Sequence, residues 1–555
     1  MNRKLITAAI SFLLLFSFGC KMGKKPKEKV DDQKPNIMVI MTDDMGYSDL
    51  GCYGGEISTP NIDKLASEGV RFTQFYNASR CCPTRASLMT GLYQHRVGLQ
   101  VNGHSLSQES ITIPEALKKE GYQTGMSGKW HLSQTYEKEN LQEHMKWIAN
   151  QADFSDFAPL ETYPSNRGFD EMYGIIWGVA NYFDPFSLVH NEEPIEEVSE
   201  DFYVTDFISD KAVDLIDQFS ENENPFFLYV AHQAPHWPLH ALEKDVAKYK
   251  GVYDDGWDAL RQSRYQRMVE LGLVGPETAP NSWNESGRSW DEVEDKAWEA
   301  SHMEAHAAML DRVDQGVGRI IEKLKEKGEF DNTLIMVLSD NGGSPERVKR
   351  PGFDRPAETR DGRKISYQND GYETPWEETT FAGIGAAWAG AVNTPFRYWK
   401  VASHHGGIAT PFIVHWPKGL KLKPGSINKK IVGHVMDIMP TCLDVAGVEY
   451  QDSVRGIDIP ELDGKSLLPV IKGQEWEGHD AIFWEHAKRK AIRRGDWKLV
   501  AWRGFEWELY NLKEDLTETN NLAGQYLERV KEMAELWHEY ADEVGYDPDA
   551  KGPTH

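Results

Sequence analysis

Three stretches of this chain are unbroken apolar runs: 36–42 (NIMVIMT), 225–231 (PFFLYVA) and 333–339 (TLIMVLS). A strand with one wet face alternates apolar and polar residues, whereas a run without alternation must be covered on both faces. Each run stops at a polar cluster: Asp43-Asp44-Met45-Gly46, His232-Gln233-Ala234-Pro235-His236 and Asp340-Asn341-Gly342-Gly343. Helical signals lie between them. Thr59 and Pro60 read as an N-cap and first helical residue of a helix ending at Gly69. Residues 111–121 repeat the pattern with Thr112, Pro114 and a stop at Gly121, and a short strand over 122–127 runs into Gly128-Lys129-Trp130-His131. Met309, Leu310, Val313, Val317, Ile320, Ile321 and Leu324 share one face of a long helix. Strands alternating with helices predict an α/β fold, a doubly wound mixed, mostly parallel sheet flanked by helices.

Residues 245–301 lack a strand period and read as a helical and loop insertion, and 345–394 as a long excursion over the site. The character changes near Ala446-Gly447. Short strands over 491–503 and 507–512 and a final helix over 522–544 predict a smaller α+β domain over 446–555, after a catalytic domain over 35–445. The N-terminus reads as an export signal. Arg3 and Lys4 precede a short apolar run that ends at Ser17-Phe18-Gly19-Cys20, similar to a bacterial lipoprotein cleavage site. The expectation is a signal peptide over 1–20, lipidation at Cys20, a linker over 21–34, and a lipid-anchored protein of the periplasm or outer membrane, touching the membrane through its anchor alone. A net charge of −26 argues against nucleic acid as a partner, and an anionic substrate would need a local basic island in this acidic chain.

In open α/β sheets ligands bind at the C-terminal ends of the strands, so Asp43-Asp44, Lys129 with His131, His236 and Asp340-Asn341 can meet in one crevice. Asp43, Asp44, Asp340 and Asn341 are oxygen donors, suited to Ca²⁺, or less well Mg²⁺, rather than zinc; capping of helices by Asp is the plainer alternative. Lys129 and His131, two apart in an extended segment, point the same way and suit an anion with a proton to move; a surface lysine with a capping histidine would look the same. His236, between prolines, could equally be structural. The five cysteines are too few and too irregularly spaced for a disulfide framework, and no CxxC pair supports a zinc site. Two of them are adjacent in SRCCPTRASLMTG, residues 79–91. Pro83 and Gly91 bracket a helix, which places Cys81 and Cys82 at its N-terminus and Arg85 on its first turn. Free amides there favour anions and activate a thiol, and Arg85 can fork onto a tetrahedral anion. These residues describe a reactive cysteine beside an anion site, with packing the role left to Cys82.

This stretch resembles the sulfatase signature, Cys-x-Pro-Ser/Thr-Arg followed by an apolar residue and Thr-Gly, within the alkaline-phosphatase-like superfamily. Proline two residues on and arginine four residues on set the register at Cys81, and Arg80 departs from the small or aliphatic residue expected. MTDDMGYSDLGCYGG, SGKWHL, NRGFDEMYG, APHWP, LSDNGG, NTPFRYWK and GGIATPFIVHWP resemble family blocks in family order, and Gly256-Trp257-Asp258 resembles the bacterial arylsulfatase branch. The resemblance implies that a separate maturation enzyme oxidises Cys81 to Cα-formylglycine. One hydroxyl of the hydrated aldehyde attacks sulfur, the alcohol leaves, and the second hydroxyl expels sulfate from the covalent sulfo-enzyme. It further implies that Asp43, Asp44, Asp340, Asn341 and the modified Cys81 hold Ca²⁺, and that Arg85 holds the formylglycine. Lys129 and Lys400 neutralise sulfate oxygens, His236 protonates the leaving group, and His131 assists elimination. The family often has His-Glu-Gly-Gly after this lysine. Here His404-His405-Gly406-Gly407 stands there, which assigns His404 to substrate binding and leaves His405 without a role. The expected activity is release of inorganic sulfate from a sulfated carbohydrate or aryl sulfate. The alternatives are a phosphonate or phosphate-ester hydrolase of the same superfamily, or a glycan-binding lipoprotein without catalysis.

Overall fold

The computed structural model describes residues 33–548, apart from 136–137, 139, 152, 155, 279–285 and 353–354. Cys20, the apolar run before it and most of the linker lie outside the described residues.

The run over Asn36–Thr42 forms β1, and it is buried throughout. It is flanked in parallel by β7 (Phe226–Ala231) and β8 (Thr333–Ser339). The other strands of this sheet are β2 (Val70–Tyr76), β3 (Gln123–Lys129), β4 (Glu171–Ile175), β5 (Leu188–His190), β6 (Glu193–Pro194), β9 (Ala409–His415), β10 (Ser426–Asn428) and β11 (Gly433–His434). Their order is β10-β2-β9-β8-β1-β7-β3-β4-β5-β6, with β11 also paired to β2. Pairs in the centre are parallel, while β9 runs against β2 and β8, and β5 against β4 and β6. This is the mixed, mostly parallel sheet the sequence predicts. The apolar runs need both faces covered, and both are: Met38 and Ile40 of β1 enter one core cluster, Ile37, Val39 and Met41 the other.

The helices carry detail that patterning missed. Thr59 precedes helix Pro60–Glu68 but does not cap it; its hydroxyl instead donates to Asp63 Oδ1 at 3.1 Å and accepts from the Gly51 amide at 2.9 Å. Thr112 does cap helix Ile113–Lys118, in a reciprocal capping box with Glu115. The helical period near 309–324 belongs to a helix spanning Lys296–Glu326. The insertion before it forms helix Gly256–Glu270 and is locked by Trp257, Trp290 and Trp388, packed edge to face at 4.8–5.6 Å. Beyond the small ladder β12 (Ser453–Val454) and β13 (Ile457–Asp458), a four-stranded antiparallel sheet follows: β14 (Ile482–His486), β15 (Arg489–Arg494), β16 (Trp497–Ala501) and β17 (Glu508–Asn511). The expected strand over 491–503 thus resolves into two, and the terminal helix is Leu527–Glu543. Ile492, Leu499 and Leu509 pack on Met533 and Trp537 of that helix. The opposite face joins the main core through Trp484, Ala491 and Val500, and Trp484 Nε1 donates to the Asn77 carbonyl at 2.8 Å. The C-terminal sheet is therefore pinned beside the start of helix Cys81–Thr90.

Candidate active site

The register of the central strands assembles the site. Thr42 of β1 pairs with Ser339 of β8, so Asp43 and Asp340 emerge side by side. Met41 pairs with Ala231 of β7, and Gly128 of β3 pairs with the same alanine, which sends the segments bearing His236 and Lys129 to the same edge. Helix Cys81–Thr90 begins at this edge and ends on Gly91 at φ 70°. Cys81 and Cys82, each 1% exposed, part company here. Cys82 faces the apolar cluster with Ile37, Val39 and Ala86, where burial pushes its thiol pKa up. Cys81 faces carboxylates: its sulfur and one oxygen each of Asp43 and Asp340 lie within 4.8 Å of one another.

Charge is paired in detail. The Arg85 guanidinium donates to Asp340 Oδ2 from Nε at 3.2 Å and Nη2 at 2.8 Å, and from Nη1 to the Lys129 carbonyl at 2.9 Å. Lys129 Nζ contacts Asp43 Oδ2, and Lys400 Nζ donates to Asp44 Oδ1 at 2.6 Å. Asn341 Nδ2 also donates to Asp44 Oδ1, at 2.6 Å. His236 Nδ1 donates to the Trp237 carbonyl at 2.6 Å, which fixes the tautomer and presents Nε2 to Asp44 Oδ2 at 3.5 Å. Three carboxylates thus face three side-chain cations, all buried. The field sorts their protons. Burial would raise the Asp43 pKa, but Lys129, His236, Arg85 and Lys400 together hold it well below the carboxylate range. Burial and the neighbouring Asp43 push Asp340 up to about 7. Burial takes His236 down to about 4 despite Asp44, and takes His131 well below its ordinary value with help from Lys129 and Arg85.

His131 reaches the site by a different route from the one expected. The segment is not extended: Gly128 has φ 119° and His131 φ 58°. The backbone turns, and the ring lies against Gly178, where a Cβ would sit 2.4 Å from Nε2. Lys400 is set by its own amide on the Gly343 carbonyl at 3.1 Å and by the following residue, whose amide donates to Ser79 at 2.8 Å. His404 is buried, with Nε2 3.1 Å from Glu508 Oε2 and Nδ1 unpartnered. His405 is structural: Nδ1 donates to the Leu516 carbonyl at 3.0 Å and Nε2 lies 3.1 Å from the Tyr76 hydroxyl. Its amide donates to Glu518 Oε2 at 2.8 Å, so a carboxylate from the C-terminal region reaches the position where the chain has histidine. One further support was not legible in the sequence. Asp49 accepts from the Gly46 amide at 2.7 Å and is held by His306 at 2.9 Å and Arg264 at 2.7 Å, which braces the Asp43-Asp44 turn from behind.

Asp43 Oδ1, Asp44 Oδ2 and Asn341 Oδ1 are buried without a hydrogen-bond partner. Orphaned acceptors at such density are costly unless something positive sits among them. The donor set, carboxylates plus an amide oxygen, fits a hard divalent cation. The protein's own formal charges in the cluster cancel, so a bound divalent ion would leave the site net positive and ready for an anion.

The family model for sulfatases matches residues 35–448, and that for the C-terminal region of N-sulphoglucosamine sulphohydrolase matches 397–542. An uncharacterized sulfatase of Schizosaccharomyces pombe is 33% identical, covering 93% of this chain and 95% of its own. An arylsulfatase of Klebsiella aerogenes is 28% identical over 85% and 97% of the two chains. The crystal structure of Ps i-CgsB in complex with k-i-k-neocarrahexaose superposes with a TM-score of 0.65 and 26% identity, over 93% of this chain and 94% of the other. A matched family model over most of the chain, on this fold, makes the protein a member of the sulfatase family and a sulfuric-ester hydrolase.

Proposed function

We propose that the protein releases inorganic sulfate from a sulfated carbohydrate or aryl sulfate, using Ca²⁺ and a formylglycine formed from Cys81. The observation that carries this reading is the buried cluster around Cys81: three orphaned oxygens, balanced charge, and a cysteine on the first turn of a helix. Asp43, Asp44, Asp340 and Asn341 would hold the ion, which supplies Lewis-acid polarisation of the ester when bound. Formylglycine supplies, as its hydrate, a nucleophile that can later release sulfate without water attacking sulfur.

The remaining chemistry belongs to side chains already in place. Lys129 and Lys400 are buried ammonium donors, preorganised by Asp43 and Asp44, and stabilise charge that grows on sulfate oxygens. Arg85 fixes Asp340 and the Lys129 backbone, so it orients both a ligand carboxylate and a cation. His236, with Nδ1 committed to a carbonyl, carries its mobile proton on Nε2. An anionic ester beside the ring raises its proton affinity, and the proton passes to the departing alcohol oxygen. His131, with Nδ1 buried and unpartnered, would take up a proton at that atom during the elimination of sulfate. The same reading places a maturation enzyme among the partners, and residues 1–20 support export with lipidation at Cys20.

The test is sulfate release, read by ion chromatography, over defined sulfated saccharides and aryl sulfates in the presence of Ca²⁺, with matched phosphate monoesters alongside. A higher kcat/KM on the sulfate of each pair supports the proposal. A large phosphate preference, or binding of sulfated sugars without sulfate release by fully modified protein, overturns it.

A further inference from the structure

Next to Cys81 the acidic chain has a basic corner. Arg80, the residue that departs from the family signature, precedes Cys81 and is half-buried. Its guanidinium lies 3.7 Å from Glu346, which also accepts from Trp237 Nε1 at 2.6 Å and so shares its charge with another donor. The tip of the β14–β15 hairpin approaches from the C-terminal sheet. Ala487 and Lys488 occupy its two central positions at φ 49° and 67°, a left-handed conformation that ordinary side chains adopt at a cost. That strained turn delivers Arg489. Its Nε is buried without a hydrogen-bond partner, and its Nη1 donates to the Ala487 carbonyl at a long 3.5 Å. Arg503, from the β16–β17 loop, is half-buried. Burial, and then the charges of Arg503 and Arg80, lower the Arg489 pKa against the opposing pull of Glu485. Arg80 adjoins Cys81 in the chain, and its charge also acts on Lys400. Guanidiniums gathered against their own repulsion, with the buried Arg489 Nε left open, suit an anionic ligand.

An aromatic platform joins the corner to the site. Tyr398, two residues before Lys400, stacks on Trp502 at 4.8 Å and 21°. The Arg489 guanidinium covers Trp502 at 4.6 Å, and His404 lies 4.6 Å from Tyr398. Guanidinium forks grip sulfate or carboxylate, and the Trp502 ring holds the Arg489 fork in place.

We infer that Arg489, Arg503 and Arg80, with Tyr398 and Trp502, form a subsite for a second anionic group on the substrate, so that the preferred substrate is a saccharide carrying a further sulfate or carboxylate near the scissile ester. This inference rests on the sulfatase reading above. Its test uses matched galactose and glucosamine mono- and disulfates. The ratio of kcat/KM, disulfate over monosulfate, is about tenfold or more in the wild type. It falls about tenfold in Arg489→Gln, chiefly through KM, and is largely retained in Arg489→Lys at low salt. A ratio near one in the wild type, or one that Arg489→Gln leaves unchanged, overturns the subsite while leaving the sulfatase reading intact. If no ester is hydrolysed, that reading fails instead, and calorimetric binding of the same disulfates to Cys81→Ala protein, with and without Arg489→Gln, still decides the subsite. Tighter binding of disulfate that depends on Arg489 supports it; equal affinities overturn it.

Discussion

Cys81 and Cys82 offer a controlled comparison, because they are adjacent and equally buried. Cys82 sits among Ile37, Val39, Ala86 and other apolar side chains. Deleting one buried sulfur there costs about 1 kcal/mol in lost transfer energy and cavity formation. Unfolding entropy is about 2.1 cal/mol/K per residue, so about 500 ordered residues give about 1 kcal/mol/K and a fall in Tm of about 1 °C. Cys82→Ala should therefore melt within a degree or two of wild type and keep most of its kcat. Cys81→Ala should cost no more stability, yet lose about 10⁴-fold or more in kcat because the nucleophile is gone. Differential scanning calorimetry and sulfate release on the same preparations check both halves. Peptide mass spectrometry checks the premise: thiol-to-aldehyde conversion removes about 18 Da at Cys81 and nothing at Cys82. Turnover by Cys81→Ala, or an inactive but fully folded Cys82→Ala, would refute the register on which the mechanism rests.

Other outcomes follow from the same geometry. In the metal-free protein Asp340 keeps its proton up to about pH 7, and an entering cation must displace it. Ca²⁺ affinity, measured by titration calorimetry, should fall about tenfold per pH unit below that point, with a flatter slope in Asp340→Asn. Chelation should lower Tm by about 4 °C relative to Ca²⁺ at about 1,000 times its Kd, since such saturation adds about 4 kcal/mol; an unchanged Tm would speak against ion binding. Gly178→Ala places a methyl group 2.4 Å from His131 Nε2, and displacement of the ring should reduce kcat about 10²-fold with little change in Tm. Glu518→Gln leaves the fully buried Lys498, now 2.6 Å from a carboxylate, without its counter-charge and should destabilise the fold by about 3–5 kcal/mol, seen as a lower denaturation midpoint.

The central strands were legible because burial on both faces leaves an unbroken apolar run, and the polar residues after β1, β7 and β8 were legible as a consequence of where such strands end. What sequence could not supply was anything set by distant partners. Asp49 and His306 are 257 residues apart, and the amide of His405 meets Glu518 across 113; neither pairing leaves a local period. Strands β4 to β6 and β14 are two to five residues long, so alternation is too brief to register. His131 shows the opposite failure. Its spacing from Lys129 suits an extended segment, and the left-handed turn at His131 overrides that period while still bringing the ring to the cluster.

The near-total enclosure of Cys81 sets a schedule. With 1% of its surface open to solvent, and with Arg85, Asp43 and Asp340 closed around it, the thiol is out of reach of any second protein once β1, β8 and the helix after it have come together. On the proposed reading, the maturation enzyme must meet residues 79–91 while they are still an extended peptide. The time the nascent segment spends before docking on the sheet then limits the fraction of molecules that become active. Variants that fold faster could thus be better folded and less often converted, a trade that a specific-activity measurement alone would mistake for damage to the site.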